Sequence, residues 1–162
     1  MLTYHIKVQG LDQLNTSFQR APQLTKSRLT VAMNKSLVRL QSSAKALAPV
    51  DNGTLRSSIV INPTVWNGST AVGSVGTGPM AYAVYQEVGT GIYGPAGRPI
   101  RPKNKKVMAW QKNGKWHFAK EVKGVRPKWY MRGAAEQSTQ AINGYFQTAM
   151  DEVTAALAGG AA

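Results

Sequence analysis

Glycines 89, 91 and 94, in Gly89-Thr-Gly-Ile-Tyr-Gly94, stand at the G-x-G-x-x-G spacing that cradles the pyrophosphate of a dinucleotide. That chemistry requires a strand before the glycines and a helix N-terminus after them, so that backbone N–H groups point at the phosphates. Here Pro95, Gly97 and Pro99 follow at once, and no helix can open there. The match is therefore rejected as a nucleotide site. Other catalytic arrangements fare no better. There is no P-loop Lys-Ser/Thr signature, and the seven acids are scattered. His5 and His117 fall in unrelated predicted strands, which yields neither a metal site nor a Ser-His-Asp constellation. The absence of cysteine excludes disulfides, zinc–thiolate sites and thiol catalysis. Glu87 is the acid nearest the glycines, and one carboxylate cannot run two-carboxylate chemistry. The expectation is a protein that is not an enzyme and takes no cofactor or metal.

Charge carries more information. Twenty Lys and Arg face seven Asp and Glu over 162 residues, a formal net charge of +13. The imbalance is local: residues 98–132 hold twelve of the basic residues against a single acid, Glu121. Such a field favours nucleic acid, an acidic protein surface or anionic lipid, against the bland reading of a solvated face that aids solubility. Arg98, Arg101, Lys103, Lys105, Lys106, Lys112 and Lys115 are the candidate residues facing DNA or a partner. Trp110 and Trp116 are interleaved with these cations, as base stacking requires, although aromatics alternating in a hairpin are more often core. No stretch approaches the ~20 apolar residues of a membrane span. The opening Met1-Leu-Thr-Tyr-His-Ile-Lys7 has no apolar signal region, so cytoplasmic synthesis is expected.

The elements that position these residues follow from periodicity. Tyr4 to Gly10 alternates and predicts a first strand. Leu11 to Arg20 predicts a short helix that ends before Pro22. From Thr25 to Leu47 the stripe Leu29, Met33, Leu37, Leu40, Ala44, Leu47 steps by 4, 4, 3, 4 and 3, an amphipathic helix. Pro49 ends it, and Asp51-Asn52-Gly53 is turn chemistry, with Arg56 near enough to pair with Asp51. Two Asn-Gly hairpins are expected. Around Asn67-Gly68, Val65 should pair with Thr70, with an edge or bulge at Pro63. Around Asn113-Gly114, Met108 should pair with Ala119, Ala109 with Phe118 and Trp110 with His117. This second hairpin is apolar on both faces and lysine-fringed, so it either meets a partner or joins the main sheet. Between the hairpins, Tyr82, Tyr85 and Val88 share one face of a helical turn that Gly89 and Gly91 end. A C-terminal helix from Gly133 carries Ile142, Phe146, Met150, Val153 and Leu157. The fold class expected is α+β: a mostly antiparallel sheet, from the first strand and both hairpins, packed against the long amphipathic helix and the C-terminal helix. One domain should span 1–162, with a basic loop and hairpin insertion at about 94–124.

Three blocks stand in order: Ala48-Pro-Val-Asp-Asn-Gly-Thr-Leu-Arg-Ser-Ser-Ile59, Ala81-Tyr-Ala-Val-Tyr-Gln-Glu-Val-Gly-Thr-Gly91 and Arg126-Pro-Lys-Trp-Tyr-Met-Arg132. Together they resemble the gene-product-ten-like family of tailed-bacteriophage neck and tail-completion proteins, over nearly the whole chain. Pro49, Asp51, Gly53, Leu55, Arg56 and Ile59 match the first block. Tyr82, Tyr85, Glu87, Gly89 and Thr90 match the second, and Arg126, Pro127, Trp129, Met131 and Arg132 the third. Asn52, Val88 and Lys128-Trp129-Tyr130 depart from the family's usual Thr, Phe and Pro-Phe-Leu. The Arg98–Lys123 insertion occurs in only some relatives. The resemblance implies a structural virion protein in a homo-oligomeric ring, six subunits being one candidate size, at the head–tail junction. It implies connector or stopper and tail-terminator or tail-tube partners, host cytoplasm during assembly, and DNA passing through. Contact with that DNA would be non-specific. The alternative, from the residues alone, is a sequence-independent nucleic-acid-binding protein using the basic aromatic hairpin.

Overall fold

The computed structural model describes residues 11–51 and 53–159. The expected first strand at Tyr4–Gly10 and the residue Asn52 lie outside them. The element order is α1 (Leu11–Leu47), α2 (Thr54–Ser58), β1 (Ile59–Asn67), β2 (Thr70–Thr77), α3 (Ala81–Val88), a 3₁₀ turn (Gly91–Tyr93), β3 (Met108–Lys112), β4 (Lys115–Ala119) and α4 (Tyr130–Gly159). The class is α+β, with a long helix, two small antiparallel sheets and a C-terminal helix.

Two expectations about α1 are corrected. The helix does not break before Pro22 but runs through it as one element of 37 residues. An interior proline removes one backbone hydrogen bond and costs about 3 kcal/mol. Good helix formers on both sides, Gln19-Arg20-Ala21 and Gln23-Leu24, keep the helix going. Its buried face also differs from the stripe of large residues. Leu37 and Ala44 are buried as expected, whereas Leu47 is exposed and the other deep positions are Ala32, Ser36 and Ser43, with Ala48 buried just beyond the helix. A search for bulky apolar residues passes over small ones, which bury most where backbones approach closely.

The sheet expectation is corrected as well. Among the described residues the two hairpins form separate two-stranded sheets, and the second does not join the first. Lys112 and Lys115 on its strands, with Lys106 and Lys120 beyond their ends, hold its edges in water. In the first hairpin the turn residues are Gly68-Ser69, one place later than expected. Asn67-Gly68-Ser69 holds two overlapping signals, and the one with glycine first wins: Gly68 has φ 60 and Ser69 does not share it, a type II′ arrangement. Thr64 consequently lies opposite Gly73, Thr64 Cα being 3.5 Å from where a Cβ on Gly73 would stand. Burial along β1 alternates but changes phase at Asn62–Pro63, the behaviour foreseen for a proline in that strand. The second hairpin pairs as expected, Met108 with Ala119, Ala109 with Phe118 and Trp110 with His117.

The described chain gathers into two compact units. The first holds α1 up to Arg39, the hairpin end Asn62–Ser74 and α4 from Ser138. Here Trp66 Nε1 donates to Thr30 Oγ1 at 2.9 Å, and Thr64 Oγ1 donates to Asn34 Oδ1 at 2.9 Å. Lys26 lies over the Trp66 ring, and Arg28 pairs with Glu152 at 3.0 Å. The second unit, Leu40–Ile61 with Val75–Gln137, has a core of Ala44, Ala48, Leu55, Ile59, Ala83, Tyr130 and Ala134. Gln41 Nε2 donates to the Ile59 carbonyl at 2.9 Å, which ties the start of β1 to α1. Ile59 is wholly buried, so Ile59→Ala should lower unfolding free energy by about 2–5 kcal/mol in urea titration. Val60→Ala next to it, on an exposed side chain, should stay within about 0.5 kcal/mol. Equal losses at the two positions would contradict this core.

Candidate functional site

The second unit is organised by α3 and the chain that meets its C-terminal end. Ala83 is the one α3 residue in the core; Tyr82, Val84 and Tyr85 are 44%, 57% and 53% exposed. Gly89 N–H donates to Tyr85 O and closes the helix. Beyond it the chain runs beside residues 123–125. Thr90 N–H donates to Val125 O at 2.9 Å, Ile92 N–H to Lys123 O at 2.8 Å, and Val125 N–H to Thr90 Oγ1 at 2.9 Å. Gly91 has φ 64, and a Cβ there would collide with the Lys123 carbonyl. The spacing that mimics a nucleotide motif thus serves a close backbone crossing. Within it the chain forms only a 3₁₀ turn of three residues, Gly91–Tyr93, and no helix follows directly on Gly94.

The crossing ends in a reciprocal clasp. The Gln86 and Glu87 carbonyls, at the end of α3, accept from Lys128 N–H at 2.8 Å and Trp129 N–H at 3.2 Å. In return the Glu87 carboxylate accepts from Met131 N–H at 2.9 Å and Arg132 N–H at 3.0 Å. Those are the second and third residues of α4, the donors that a capping side chain normally satisfies. The residue before α4 is Trp129, whose indole has no acceptor, and it sits at φ 51, unfavourable for a bulky L residue. Glu87 supplies from another element the acceptor that Trp129 lacks, and its charge suits the positive helix end. The Arg132 guanidinium lies 5.6 Å from the Trp129 ring centroid, and Arg126 lies 5.1 Å from that of Tyr93.

Tyr130 opens α4 and is 2% exposed, with its hydroxyl 3.5 Å from the Ala83 carbonyl oxygen. Burial first, and then the Glu87 carboxylate, raise its pKa above the ordinary 10.0. Leu55, Ala83 and Tyr130, one from each sequence block, therefore meet in one core. Glu87, Gly89, Thr90, Pro127 and Arg132 also converge, with Pro127 against Gly89. Pro49 is half-buried and Gly53, at φ 81, precedes α2. Asp51 and Arg56 are both exposed, and the expected ion pair between them is not found among the described residues. Sequence reasoning missed Tyr130 as a core anchor and Trp129 as a strained cap position. The signal available was an aromatic pair between Pro127 and a helix start.

The basic segment is rooted on an antiparallel bridge, Ile100 N–H to Val122 O at 2.9 Å and the reverse bond at 3.0 Å. Arg101 is drawn out of the set of free cations: its Nε and Nη2 both donate to Glu121 Oε2, at 3.0 and 2.9 Å. Arg98, Lys103, Lys105, Lys106, Lys112 and Lys115 are exposed. Trp110 stacks on His117 with centroids 5.6 Å apart, and Trp116 on Phe118 at 6.4 Å. All four rings remain exposed to solvent.

Residues 12–89 match the family model described as "Bacteriophage HK97-gp10, putative tail-component". The likeness to that family of phage tail components covers a little under half of the chain. The matched region takes in α2, the first hairpin and α3 up to Gly89. No curated protein and no solved structure matches the chain.

Tyr130 gives the protein a pH signature. Its folded pKa lies above the unfolded value of 10.0, so its contribution to stability is fully present below pH 10.0. That contribution is lost as pH rises from there through the folded pKa, because the unfolded chain releases the proton first. Urea midpoints measured on either side of that pH should fall in the alkaline range, and Tyr130→Phe should flatten the fall. An unchanged alkaline slope in Tyr130→Phe would contradict the burial of a neutral phenol.

Proposed function

We propose that this protein is a structural component of a bacteriophage tail, and so of the virion, and within it a neck or tail-completion subunit. It forms a homo-oligomeric ring at the head–tail junction, between the connector or stopper and the tail terminator or tail tube. It joins them without catalysis and without a cofactor, leaves a passage for the genome, and resides in the host cytoplasm until assembly. The observation that carries the reading is α3, with Tyr82, Val84 and Tyr85 about half exposed on a helix of eight residues. Large apolar side chains gathered on one short element mark a surface for association. Burying the exposed half of each in an interface contributes on the order of 1 kcal/mol. A head-to-tail contact between identical subunits closes into a ring when its rotation permits. The match to the tail-component family supports the setting.

The test is the mass of the purified protein by light scattering, alone and with purified tails. The expected result is a discrete ring-sized oligomer in solution or on the tail end. Val84→Asp should abolish it while circular dichroism stays unchanged, since that side chain lies outside the core. A monomer that also ignores purified tails would overturn the proposal, as would a ring that forms undiminished with Val84→Asp.

A further inference from the structure

The second hairpin presents a combination that neither the core nor the clasp uses. On one face Lys112 stands directly opposite Lys115 at the tip, and behind them lies the stacked pair Trp110 and His117. On the other face Trp116 and Phe118 stack, 64% and 67% exposed. Lys103, Lys105 and Lys106 lead into the ribbon, and Lys120 and Lys123 lead out of it. The only acid in residues 98–132, Glu121, is held by Arg101, so it neutralises none of these lysines.

Like charges placed directly opposite each other on paired strands repel, so the Lys112–Lys115 tip weakens the hairpin it closes. An anion lying across the tip reverses the sign of that interaction. The occupant cannot be the same hairpin of a second copy, which would bring the same cations face to face. It must also suit a ribbon with cations along its length and flat aromatic rings on both sides. A protein surface covers one side of such a ribbon and leaves the other in water. DNA suits both sides: a two-stranded ribbon enters the major groove between walls of phosphate, and a single strand can lay its bases on the rings.

We infer that the hairpin Met108–Ala119 and its flanking lysines form a sequence-independent DNA contact, with lysines on backbone phosphates and the exposed ring pairs against bases or sugars. This goes beyond the junction reading and does not rest on it. Nothing in the hairpin's chemistry depends on a ring, and its failure would leave the ring reading standing.

The experiment is fluorescence anisotropy of mixed-sequence oligonucleotides, duplex and single-stranded, titrated with the full chain over a series of salt concentrations. Log affinity should fall linearly with log salt. Lys112→Ala with Lys115→Ala should reduce that slope by roughly one unit per lysine, with affinity about ten-fold weaker at low salt. Lys35→Ala with Arg39→Ala, equally charged and exposed on α1, is the control that should leave the slope unchanged. Trp110→Ala with Trp116→Ala should weaken single-strand binding further. Binding to either form with this pattern supports the contact and says which form the hairpin takes. Three results would overturn it: no binding at low salt, equal loss in the control pair, or equal displacement of DNA by charge-matched polyglutamate. The last would assign the hairpin to an acidic protein partner.

Discussion

The Glu87 carboxylate, accepting from the Met131 and Arg132 amides, is the interaction on which the second unit depends. Without it α4 would begin at a tryptophan that cannot cap it, in a backbone conformation that L residues avoid. With it, the last turn of α3 and the first turn of α4 satisfy each other's terminal groups, carbonyls from one and a carboxylate from the other. The crossing of residues 89–92 past 123–125 follows, since both strands of that crossing leave from the clasp. So does the root of the basic hairpin, which emerges from the loop that the crossing closes. A charged cap taken from a distant element thus anchors the base from which the exposed basic hairpin departs.

Size is distributed in an unusual way in this unit. Four of its seven core residues are alanines, while tyrosine, valine, tryptophan and phenylalanine side chains stand outside on α3 and on the hairpin. An exposed apolar residue is ordinary in isolation, but a concentration on two short elements has meaning. The two elements differ in charge. The α3 surface is neutral and suited to another protein face, whereas the hairpin carries cations on its strands and both flanks. Association and anion contact can therefore be separate functions of one small unit, and substitutions in one need not disturb the other.

Much of this was legible in the residues, for identifiable reasons. The second hairpin's register was readable because Asn113 tolerates a left-handed backbone and only one two-residue turn fits there. The first hairpin's register is ambiguous by one place because Gly68 can serve as the second residue of one turn or the first of another. Pro22 signals a helix stop that its helix-forming neighbours override, and periodicity of large residues does not register the small ones that form the core face of α1. The family blocks were recognisable, but their physical meaning was not. That Leu55, Ala83 and Tyr130 meet, and that Glu87 is a cap, depend on contacts between residues far apart in the chain, 44 positions for Glu87 and Met131. No local periodicity encodes such a contact.

Amide hydrogen exchange of Met131 and Arg132, measured by NMR in the native chain and in Glu87→Ala, tests the clasp most directly. Second- and third-position amides of a helix have no partner within it, so protection there must come from Glu87. Slow exchange is expected at both amides in the native chain and its loss in Glu87→Ala, with the amides of residues 30–45 in α1 unchanged. Retained protection at Met131 and Arg132 without the carboxylate would contradict it.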